Sequence, residues 1–201
     1  MKTNLLLSVA CLVIFVGQSY GQAPKAAINY LALPGPFTVQ NQVYRLAWSS
    51  HPDASLYKHE YLAAGDQFPN YKSLITVDFV VTPSTVGQAV STKIRQLEAM
   101  KKTNPIVNYE LMENKTMGEV IIDCIIGETA ADDRNSVVER DVFRYKSVSA
   151  TSGQRGILLF AVSIRKYGSD ITSFLTKLKA DKKMLVNEVA KLPMPAINLA
   201  K

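Results

Sequence analysis

A chain of 201 residues, 47% hydrophobic and 20% charged, has the composition of one globular domain and excludes a disordered chain, a collagen-like chain and a polytopic membrane protein. Two cysteines exclude a disulfide-rich scaffold and a four-cysteine zinc site, and two histidines argue against a multi-histidine metal centre. The net charge of +6 leaves anionic partners open.

Residues 1–21 read MKTNLLLSVACLVIFVGQSYG, with Lys2 the single charge, an apolar run from Leu5 to Val16, and Ser19 and Gly21 as small residues near the end. This is the pattern of a secretory signal peptide and predicts cleavage after Gly21. The run is about twelve residues, short of the roughly 20 a spanning helix requires, so no transmembrane helix is expected after cleavage. Cys11 follows Ser8-Val9-Ala10, but the apolar run continues to Val16, which argues against a lipoprotein anchor. The expected location is secreted or periplasmic. Losing Cys11 leaves Cys124 with no disulfide partner.

Residues 22–42 carry Pro24, Pro34, Gly35 and Pro36 and read as a leader, poorly ordered or draped over the domain. A single domain is expected over 43–192, followed by a tail over 193–201. Val43 to Trp48 and Leu56 to Ala63 read as a hairpin of strands broken by Ser50-His51-Pro52-Asp53, and Leu74 to Val81 as a third strand. A helix is expected next, with Thr82 as N-cap and Pro83 in the first position. Val86, Val90, Ile94, Leu97 and Met100 fall on one of its faces. Four strands follow: 106–112, 119–126, 137–148 and 157–164. The last is continuously apolar through Ile157-Leu158-Leu159-Phe160-Ala161-Val162, which predicts a central strand covered on both sides. A final helix runs from Ser169 to about Lys191 and ends before Pro193 and Pro195. The fold class is α+β: one mainly antiparallel sheet of about six to seven strands with two long helices packed on it.

Glu60-Tyr61-Leu62-Ala63-Ala64-Gly65-Asp66 leads into Asn70-Tyr71-Lys72-Ser73-Leu74-Ile75-Thr76-Val77. The stretch resembles a segment of uncharacterised secreted bacterial proteins in which E-Y-x-P-x-G precedes N-W-x-x-x-[IL]-T-V. Tyr71 stands here for the usual Trp, and Ala63 or Ala64 for the usual Pro. The order of elements is similar to that of the PsbP-like α/β/α sandwich. The resemblance implies that fold and an exported setting, and no activity.

No G-x-S-x-G, P-loop or G-x-G-x-x-G occurs, and Cys124 sits mid-strand among apolar residues, a poor place for a nucleophile. No catalytic residues and no cofactor are assigned. His51, Asp53 and His59 are the candidates for a metal site, although His59 and Glu60 must face opposite sides of their strand. Asp132-Asp133-Arg134, with Glu128 nearby, is an acidic loop. Arg140, Arg144 and Lys146 alternate along one strand and are the candidates for binding an anionic surface. The main functional expectation is a non-enzymatic binding or accessory domain in the periplasm, partnered by an envelope protein or a small ligand and not by nucleic acid. The alternatives are a carboxylate- or metal-dependent hydrolase and a binder of anionic lipid or polysaccharide. Pairing the strands at 119–126 and 137–148 so that Asp123 opposes Arg140 and Glu119 opposes Arg144 would occupy both arginines.

Overall fold

The computed structural model describes residues 26–33, 35–128 and 136–199. Residues 1–21, where a signal peptide is expected, and Asp132, Asp133 and Arg134 lie outside the described residues. Eight strands form one antiparallel sheet: β1 (Phe37–Val39), β2 (Gln42–Asp53), β3 (Leu56–Ala63), β4 (Ser73–Val81), β5 (Asn108–Asn114), β6 (Glu119–Glu128), β7 (Val137–Ser149) and β8 (Arg155–Tyr167). Their spatial order is β1-β2-β3-β4-β8-β7-β6-β5. Helix α1 (Val86–Lys101) carries the chain from the middle of the sheet to the far edge, and α2 (Asp170–Lys191) follows β8.

The sheet therefore has more strands than the six to seven expected. The additional strand is β1, which pairs with β2 through Phe37↔Tyr44 and Val39↔Gln42 and comes from the segment read as a leader. Nor are the helices long beside the sheet. At 1.5 Å per residue they measure about 24 and 33 Å, against about 43 Å for a 13-residue strand. The sheet, not the helices, sets the size of the domain.

Local chemistry explains the boundaries. Thr85, not Thr82, caps α1: its side chain accepts from the Gln88 backbone N–H while Gln88 reaches back to the Thr85 N–H. That reciprocal pair satisfies two otherwise unmet donors and fixes the start at Val86. Pro52 does not break β2. The register slips between Ser50 and Asp53, a bulge that absorbs the missing donor, and Asp53 ends the strand by accepting from the Ser55 N–H and hydroxyl. Residues 68–70 form bends.

Alternation divides the sheet into two faces. Val142, Leu158, Phe160, Val162, Ile75 and Val77 point one way and pack with Leu185, Val186 and Val189 of α2. Ile122, Cys124, Phe143, Ile157, Leu159 and Ala161 point the other way, against Val90 and Leu97 of α1. The order through the molecule is α1, sheet, α2, with β8 in the middle and residues 156–163 buried.

The segments flanking the sheet and α2 join the α2-side core. Leu31, Leu33 and Ile197 are buried in it, the Asn198 N–H donates to the Leu31 carbonyl, and the Thr151 N–H donates to the Ile197 carbonyl. The packed body thus reaches beyond 43–192 on both sides. No helix among the described residues is long and apolar enough to cross a membrane.

Candidate functional site

The basic strand does not form a surface patch. Arg140 and Arg144 are 4% and 5% exposed and lie between the sheet and α2. Arg140 grips both Asp123 oxygens, at 2.9 and 3.0 Å, and donates to the Lys182 carbonyl at 2.6 Å. Arg144 donates twice to Glu119 Oε2 and also to the carbonyls of Val189 and Leu192. These helix-end carbonyls have no partner within α2, and the guanidinium supplies one. Lys146 pairs with the other Glu119 oxygen at 2.8 Å. Burial alone would raise Glu119, but the hydrogen bonds from Lys146 and Arg144 hold it below the usual carboxylate range. The anionic-surface reading of Arg140 and Arg144 is thus corrected: sheet alternation put them on the covered face.

The expected register is also corrected. Asp123 opposes Val142, and Glu119 opposes Lys146, two residues from the expected pairing. The ion pairs form all the same, because an arginine side chain spans the diagonal between neighbouring strands.

The metal candidates are not brought together as a ligand set. His51 is exposed and stacks on Tyr57 at 4.0 Å between ring centroids. Asp53 is engaged by Ser55. His59 is fully buried on the α2 face, with Nδ1 3.1 Å from the Tyr61 hydroxyl and Nε2 without a hydrogen-bond partner. Burial pushes it down to about 4, against a small opposing effect of the Ile28 carbonyl. Among the described residues no group of three or more His, Cys, Asp or Glu could hold a metal ion.

The α1 face carries the unexplained chemistry. Asp78 interrupts the apolar run Ile75-Thr76-Val77-Asp78-Phe79-Val80 and faces α1's side of the sheet, opposite Lys58 on β3 and Leu159 on β8. Lys58 Nζ holds Oδ2 at 2.6 Å. Oδ1 has no partner. Burial raises the Asp78 carboxyl, with the Lys58 charge opposing. Asp78 lines a cavity of about 90 Å³ under the first turns of α1, walled by Val80, Ala89, Tyr145, Ile157 and Leu159. Thr82, Ser84, Gln88 and Thr92 complete its lining. A buried carboxylate oxygen left unmet costs about 1–3 kcal/mol.

A second polar group lies further along the same face. Asp141 is buried, accepts from the Ser163 hydroxyl and has the Cys124 thiol 3.9 Å away. Glu139 accepts from Tyr71 and pairs with Arg165, whose guanidinium stacks over the Tyr71 ring at 4.0 Å. Burial, reinforced by Glu139, pushes Asp141 up to about 7. Burial likewise raises Glu60 to about 7. The Cys124 thiol is pushed well up, chiefly by burial, which removes it as a nucleophile.

A pH dependence follows for Asp141. Its folded value of about 7 lies above the unfolded value near 3.9, so its contribution is present below about pH 4 and lost as pH rises to about 7. His59 works oppositely and destabilises the fold as pH falls from about 6.5 to about 4. Asp141→Asn keeps an acceptor for Ser163 and removes the titration. Its stability relative to wild type should therefore climb between pH 4.5 and 7.5 in urea denaturation. Parallel curves for the two proteins would contradict the assignment.

A family model matches residues 31–194, and the family is an uncharacterised bacterial one. No curated protein and no solved structure matches the chain.

Proposed function

The chain belongs to this uncharacterised bacterial family, and from that premise we propose that it is an exported, non-enzymatic binding domain that takes a small ligand beside α1. The observation that carries the reading is Asp78: a buried carboxylate with one oxygen held by Lys58 and the other unmet at a mostly apolar cavity. Apolar walls with a small number of oriented polar groups are the usual construction of a small-ligand site. Among the described residues, no histidine or reactive thiol lines the cavity. Ser84 and Thr92 line it, while His59 is on the opposite face of the sheet, which favours binding over hydrolysis. The pattern of residues 1–21 supports export to the periplasm or beyond, and the order of layers suits the α/β/α sandwich that the order of elements resembles.

Filling the cavity tests this. Ala89 lines it from the helix, and Ala89→Phe places a ring in the space with no loss of a polar contact. Amide shifts should move on addition of small amphiphilic fragments, clustered at Val80, Ala89, Ile157 and Leu159, and Ala89→Phe should abolish them with the spectrum otherwise folded. Shifts that persist in the filled variant would place binding elsewhere.

A further inference from the structure

We infer that the ligand is a compact apolar molecule carrying a neutral hydrogen-bond donor, such as a hydroxyl, and not an amine; this rests on the binding reading above. The Asp78 carboxylate already has its counter-charge, because Lys58 Nζ sits 2.6 Å from Oδ2. The side chains of Lys58 and Asp78 are 24% and 6% exposed, so the pair is poorly hydrated. A ligand ammonium at Oδ1 would bring a second cation close to the Lys58 ammonium. In a setting of low effective dielectric, that repulsion and the cost of desolvating the ligand charge work together. Glu60, on the same face, is raised to about 7 by burial, which weakens its charge near neutral pH. A neutral O–H or N–H satisfies Oδ1 without disturbing this balance.

Size follows from the cavity. At about 10–15 Å³ of such space per water, 90 Å³ admits roughly six to nine heavy atoms. The aliphatic and aromatic walls from Val80, Ala89, Tyr145, Ile157 and Leu159 suit a saturated ring or a branched chain.

Three probes of one shape and seven heavy atoms decide the point: cyclohexanol, cyclohexylammonium and methylcyclohexane, titrated into the protein at pH 7 and followed by the amide shifts of Val80, Ala89 and Leu159. Cyclohexanol should bind about tenfold more tightly than either of the others, the expected effect of one buried hydrogen bond made against one left unmade. Equal or tighter binding of cyclohexylammonium overturns the neutral-donor inference and leaves the pocket intact. Equal binding of methylcyclohexane and cyclohexanol also overturns it, because Oδ1 then reads nothing. If none of the three moves these amides, the binding site itself is overturned, and the inference falls with it.

Discussion

Arg144→Met should lower the stability of the folded domain by about 3–5 kcal/mol, the range for removing one partner of a buried ion pair. Three losses coincide. Glu119, 5% exposed, keeps only Lys146 as a described cation, the Val189 and Leu192 carbonyls lose their donor, and the sheet loses its polar link to the end of α2. Arg144→Lys keeps the charge but cannot donate twice to Glu119 Oε2 and reach the helix end together, so it should fall between wild type and Met. Arg144→Met with Glu119→Leu should recover most of the loss, since an apolar pair in place of a buried ion pair is often neutral. Urea denaturation of the four proteins measures all of this. A loss below about 1 kcal/mol for Arg144→Met would show that the arginine does not hold α2.

Leu31→Ala carries the second large effect, about 2–5 kcal/mol, the cost of truncating a buried leucine. Leu31 is 0% exposed and its carbonyl accepts from the Asn198 N–H, so the change loosens the segments around residues 31 and 198 where they meet on the α2-side core. The denaturation midpoint should fall with the slope unchanged. A change below about 0.5 kcal/mol, ordinary for an exposed position, would mean that residues 28–33 do not dock in solution.

These two sites show what a sequence exposes and what it hides. The stripe Val86, Val90, Ile94, Leu97 is periodic, so α1 and its buried face are legible. The unbroken run at 157–162 announces a strand covered on both sides. Arg140 and Arg144 are legible as partners of Asp123 and Glu119, but not their register. Alternation fixes only which face a residue takes, and a two-residue shift preserves every face. Leu31, Leu33 and the short strand β1 stay hidden among prolines, because a segment that packs through isolated side chains has no period to detect. Asp78 had a signal, one carboxylate inside the apolar run 74–81. Its meaning depends on Lys58 across the strand and on a cavity built by α1, neither of which local pattern specifies.

The measurement closest to the central claim is the native mass spectrum of the protein recovered from a bacterial periplasmic extract, beside that of Ala89→Phe. Binding and export together predict a chain beginning at Gln22 that carries a small non-covalent adduct, with the filled variant showing the same chain mass and no adduct. A chain that retains residues 1–21, or an identical adduct on the filled variant, would contradict the account.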